Sequence, residues 1–60
     1  MELDKYVGLK VKIDLTNGFY YEGIVISVDN NSLRLKDKFG KNIDISESAI
    51  SFLRELDNGS

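Results

Sequence analysis

The side chains of this 60-residue chain that could do chemistry fall into four short stretches, and their types narrow the chemistry before any fold is considered. Asp29-Asn30-Asn31-Ser32 offers a carboxylate, two amides and a hydroxyl in succession, and Ser46-Glu47-Ser48 offers two hydroxyls around a second carboxylate. Phe19-Tyr20-Tyr21 is an aromatic triplet able to stack on bases or to cage a methylated ammonium group. Arg34, Lys36, Lys38 and Lys41 form the one local cluster of positive charge, suited to a weak, salt-sensitive contact with a phosphate backbone. The bland readings are strong beside these. Asn and Ser in a row are turn formers, the aromatics can serve packing with Tyr21 in the core, and Asp37 and Asp44 dilute the basic cluster.

Catalysis has little to work with. The chain has no Cys and no His, so disulfides, the usual zinc ligands and the commonest general base are missing, and Ser46 and Ser48 have only Glu47 beside them. The expectation is a non-enzyme with no metal and no cofactor. Net charge is −2, with the signs interspersed, so the whole molecule has no general attraction for nucleic acid. No apolar run approaches a membrane span and no signal peptide is visible, which points to a cytoplasmic protein with no membrane partner. A chain this short buries only about 60% of its unfolded surface, and self-association is the expected remedy.

The elements that position these residues read as strands. Leu3, Tyr6 and Val7 form one apolar face of a single helical turn, stopped by Gly8. From Lys10 the period becomes two, with Val11, Ile13 and Leu15 facing one way and Lys12 and Asp14 the other. Asn17-Gly18 signals a tight hairpin. A long strand from Phe19 to Val28 follows, expected to bend at Gly23, with both faces of its second half covered because Ile24 and Ile26 alternate with Val25. Leu33 and Leu35 mark a third strand, Ile43 and Ile45 a fourth, Ser46 to Ala49 a 3₁₀ turn, and Ile50 to Leu53 a fifth. The expected fold is all-β, a five-stranded, strongly bent small barrel of SH3-like kind with a short N-terminal helical turn. One domain spans 1–56, and 57–60 is expected to be a disordered tail.

This pattern resembles the Sm and LSm proteins, small barrels that assemble into RNA-associated rings, over roughly Leu3 to Leu53. The resemblance rests on Val11, Ile13, Leu15, Gly18, Tyr21, Gly23 and Asp29, all at the family's spacing. It implies ring formation by pairing the fourth strand of one subunit with the fifth of the next, with Ile43, Ile45, Ile50, Phe52 and Leu53 divided between core and subunit interface. It also implies a nucleotide site at Asp29, Asn30, Asn31, Ser32 and Ser46. The departures fall in that site. Ser32 precedes Leu33 where the family has Asn, the turn is one residue shorter, no base-stacking aromatic or His is present, and Ser46-Glu47 stands where the family has Arg-Gly. Losing that Arg removes a planar fork, and Glu47 adds a charge that repels phosphate. Two functions follow as expectations: an RNA-associated ring-forming scaffold with an altered or absent uridine pocket, with single-stranded RNA as partner, or a protein-binding assembly module that has lost RNA. Similar barrels serve ribosome-maturation and biotin-ligase proteins, so the fold alone does not choose.

Overall fold

The computed structural model describes residues 2–56, which form one antiparallel sheet of five strands. The elements are a 3₁₀ turn at Asp4–Tyr6, β1 at Lys10–Leu15, β2 at Tyr20–Val28, β3 at Ser32–Asp37, β4 at Asn42–Ser46, a second 3₁₀ turn at Glu47–Ala49, and β5 at Ile50–Glu55. Spatial order is β4-β3-β2-β1-β5, so β4 and β5 are the two edges. The fold is therefore a small all-β domain, with β5 two residues longer than the sequence pattern indicates. The expected tail at 57–60 lies outside the described residues.

Two hairpins share one device. In each, the i to i+3 bond (Gly18 N–H to the Leu15 carbonyl, 3.0 Å; Gly40 N–H to the Asp37 carbonyl, 3.0 Å) closes a turn whose last residue has positive φ, +93° and +84°. Only glycine holds that conformation without steric cost, and a type I turn followed by such a residue is a standard three-residue hairpin loop. Each turn is also braced by a carboxamide or carboxylate: Phe19 N–H donates to Asn17 Oδ1 at 3.0 Å, and Phe39 and Lys41 N–H both donate to Asp37 Oδ1 at 2.9 Å. Asp37→Ala removes both acceptor contacts and is expected to cost about 1–2 kcal/mol in urea unfolding.

Alternation then sorts the side chains. Val11, Ile13, Val25, Leu33, Leu35, Ile45 and Ile50 lie buried together, and Leu3 from the N-terminal segment closes over them. Tyr6 packs against this core, but Val7 does not share its face as the spacing indicates. Its backbone instead forms a parallel bridge to Val25, with Gly8 N–H donating to the Val25 carbonyl at 2.8 Å, and its side chain turns outward.

β2 departs from expectation in two further ways. Its ladders run unbroken through Gly23, which pairs with Val11 on one side and Asp37 on the other. The irregularity lies at Ile26, where the register with β3 shifts between Val25 and Ser27. Gly23 marks a close approach instead of a bend: a Cβ there would run into the Lys36 carbonyl oxygen and lie 2.9 Å from its carbon. The bulge also resets parity, so Val25 and Val28 face the same side, opposite Leu35 and Leu33. Ile24 and Ile26 are left exposed, at 47% and 41%, on a face the sequence pattern suggests is covered.

β2 thus serves different neighbours with its two halves. Tyr20 to Ile24 pair with β1, and Gly23 to Val28 pair with β3.

Candidate functional site

The turn that joins β2 to β3 stands over a groove of about 660 Å³, lined by Asp29, Asn30, Asn31 and Ser32 together with Val28, Glu47 and the N-terminal residues Glu2, Leu3 and Asp4. The turn is closed by Asp29 N–H donating to the Ser32 carbonyl at 2.8 Å, and it is tied to the second 3₁₀ turn by Glu47 N–H donating to the Asn31 carbonyl at 2.7 Å. Ser32 pairs across the sheet with Ser46, whose hydroxyl lies 3.0 Å from that of Ser48. All five residues of the sequence-derived site are therefore near one another. Ser46 stands one strand back from the groove and does not line it. The Asp29 carboxylate, expected to brace the turn, accepts no backbone N–H among the described residues, and the amide of the same residue closes the turn instead.

The electrostatics of this groove oppose a nucleotide. Among the described residues that line it, Glu2, Asp4, Asp29 and Glu47 are acidic and none is Lys or Arg. A surplus of carboxylates disfavours phosphate, while Asn and Ser supply only neutral hydrogen bonds. Glu2 and Asp4 reach this place from far away in sequence, which spacing does not reveal. No cluster of His, Cys, Asp and Glu suited to a metal ion occurs among the described residues.

The aromatic triplet lies elsewhere and points mostly to solvent. Phe19 and Tyr20 are exposed, and Tyr21, expected to fill the core, is 37% exposed. The reason is length: Tyr21 stands opposite Ile13, but β3 ends at Asp37, opposite Gly23, so no strand flanks Tyr21 on its other side. The basic cluster is also divided. Arg34 makes a forked contact with Asp44 across β3 and β4, Nε to Oδ1 at 2.8 Å and Nη2 to Oδ2 at 3.3 Å. That hydrogen bond, with the accompanying charge attraction, holds the Asp44 carboxyl below its ordinary range and raises Arg34 above its own. Because the folded Asp44 pKa is the lower one, the pair contributes its stabilisation above the ordinary carboxylate pKa and loses it as pH falls through the depressed value. Arg34→Gln should return the Asp44 titration, followed by carboxyl carbon shifts, to the ordinary range.

The outer face of the sheet, which the sequence pattern leaves unassembled, gathers four further cations. Lys10, Ile24 and Lys36 stand side by side across β1, β2 and β3, and Arg54, Lys12 and Glu22 stand side by side across β5, β1 and β2. Asp14 separates Phe52 from Tyr20 in the adjacent row, and the Lys12 ammonium lies 4.5 Å from the Tyr20 ring centre. Lys10 and Lys12 are legible as outward-facing from alternation, but their neighbours depend on registers that no spacing gives.

The interface candidates divide between core and surface. Ile45 and Ile50 are core residues, Ile43 and Leu53 are half-buried at its margin, and Phe52 is 56% exposed on β5. No protein-family model matches this chain, and no characterised protein matches it in sequence.

Proposed function

We propose that this chain is an Sm-like barrel subunit that assembles edge to edge, β4 of one copy against β5 of the next, and works as a ring-forming scaffold whose loop groove does not take a uridine. The observation that carries the reading is the pair of open sheet edges. Ladder hydrogen bonds alternate in direction along a strand. The Asp37 N–H donating to the Lys41 carbonyl sets that alternation for β4, so Asn42, Asp44 and Ser46 turn their backbone groups outward. The Leu56 N–H donating to the Lys10 carbonyl sets it for β5, where Leu53 and Glu55 do the same. Unpaired edges invite pairing with another chain, and a cyclic arrangement satisfies both edges of every copy. Half-buried Ile43 and Leu53 beside these edges gain burial in the same step.

Asp44→Pro tests this directly, because the Asp44 N–H belongs to the outward set and its loss spares the backbone bonds to β3, removing with it the exposed side-chain contact to Arg34. The variant should remain folded and run as a monomer. A variant that keeps the wild-type assembly counts against pairing through β4.

A second reading, association with single-stranded RNA, is favoured by the cations and rings of the outer face, since such a surface offers backbone contacts and stacking together. It places RNA away from the acidic groove. Binding of oligouridine or oligoadenine that falls with salt and is weakened by Lys36→Glu supports it. Absence of binding at low salt leaves the protein-only scaffold.

A further inference from the structure

We infer that β4 of one copy and β5 of the next pair antiparallel in a single register, Asn42 opposite Glu55 and Asp44 opposite Leu53, with Phe52 of the next copy anchored beside Ile45. This rests on the edge-to-edge reading above and specifies the surface that each copy offers the other. Outward backbone groups belong to Asn42 and Asp44 on β4 and to Leu53 and Glu55 on β5. The side chains of Asn42 and Asp44 stand on the outer face, beside Lys36 and Arg34, whereas Leu53 and Glu55 pair with Ile13 and Val11 of the core side. Directly opposite residues of an antiparallel pair share a face, so the next copy joins turned over, its core side continuing this copy's outer side. A second core needs that reversal. Both edge strands lend a residue to one core, Ile45 from β4 and Ile50 from β5, so the sheet curls toward it, and a neighbour that curls the opposite way has room for its own.

Bonding parity permits registers that differ by steps of two residues, and strand length and charge select among them. With Asn42 opposite Glu55, the whole of β4 lies against β5. Lys36, Asn42 and the next copy's Glu55 then stand in one row, an ammonium and a carboxylate on either side of a short amide. A shift one way sets Asp44 opposite Glu55, two carboxylates face to face, and leaves Asn42 beyond the end of β5. A shift the other way sets Lys41 opposite Arg54 and carries Glu55 past the end of β4 to Gly40. Like charges directly opposite destabilise a strand pair, so both shifts are disfavoured.

The same register gives Phe52 a place. In the single chain its ring is exposed on the outer face beside Asp14. Because the next copy is turned over, its Phe52 arrives on the core side of this one, directly opposite Ile45 at the margin of the core. Half-buried Ile43 lies opposite Arg54, whose apolar stem covers it. On the other face Asp44 meets Leu53 with its carboxylate already held by Arg34. A ring seated against apolar side chains and surrounded by polar contacts is the common form of an interface anchor.

The chain has no cysteine, so pairs introduced by substitution report the register without competing thiols. Asn42→Cys and Glu55→Cys proteins, unfolded and refolded together and then oxidised, should give a covalent dimer, since such opposite residues lie about 5.5 Å apart between Cα atoms, within disulfide reach. Asp44→Cys with Glu55→Cys, and Lys41→Cys with Arg54→Cys, report the two shifted registers and should cross-link at least about tenfold less. All these positions are exposed, so the substitutions spare the core. Phe52→Ser should stay folded and weaken assembly by at least about tenfold, while Phe52→Leu should stay within about threefold of the wild type. A particle of wild-type mass that cross-links through a shifted pair, or through none of the pairs, overturns the register, as does Phe52→Ser protein that assembles like the wild type. In each of those cases the assembled mass keeps the question of edge pairing separate, whereas a monomeric wild type overturns both readings.

Discussion

Gly23→Val should leave no folded protein at room temperature. At this position β2 is paired on both sides, to Val11 and to Asp37, so the backbone cannot shift away from one neighbour without losing the other. Any Cβ would meet the Lys36 carbonyl oxygen and crowd the Asp37 Cα at 3.0 Å, and both obstacles are backbone, with no flexible side-chain end to yield. Substitutions that force such a collision cost upwards of about 4 kcal/mol. A chain of this length has a total stability of about 3–9 kcal/mol, so the loss removes most or all of it. Gly23→Ala separates the mechanism from valine's extra bulk, since the obstacle is met by the first carbon. It should be nearly as damaging, while Gly18→Ala, strained only by its positive φ, should cost about 1 kcal/mol. Circular dichroism and urea titration of the three variants give the comparison. A folded, stable Gly23→Ala protein would show that β2 and β3 are spaced differently there.

Ile13→Ala should produce the second large effect. Ile13 is fully buried on β1, the strand between β2 and β5, where it pairs with Tyr21 and Leu53. Truncation removes three carbons and leaves a cavity in a core that has eight buried members among the described residues. The expected cost is about 2–5 kcal/mol, again a large fraction of the total. An Ile13→Val variant should lose about 1 kcal/mol by the same reasoning. A small loss for alanine would mean that the core collapses around the gap.

Much of this fold is legible from residue types alone. Period-two alternation marks Val11 and Ile13, Leu33 and Leu35, and Ile43 and Ile45, and each pair faces the core. Asn17-Gly18 and Asp37 to Gly40 mark their turns because positive φ and side-chain bracing demand those residues. The bulge at Ile26 is not legible, since an extra β-branched residue in a strand carries no distinguishing type, and missing it makes Ile24 and Ile26 look covered. Gly23 is visible as special, but whether glycine serves a bend or a close approach depends on Lys36, thirteen residues away.

The candidate site is half legible. The local run Asp29 to Ser32 and its neighbour Glu47 are readable as departures from a nucleotide pocket. That Glu2 and Asp4 join them, making the groove acidic, is a tertiary fact. The outer-face row of Lys10, Ile24 and Lys36 likewise comes from strand registers.

The claim that these parts serve an edge-to-edge assembly is tested most directly by the particle mass in solution, measured by light scattering at micromolar concentration. The account predicts a single closed species whose mass is a fixed multiple of the 6.8 kDa chain and does not grow with concentration. A clean 6.8 kDa monomer under those conditions would contradict it.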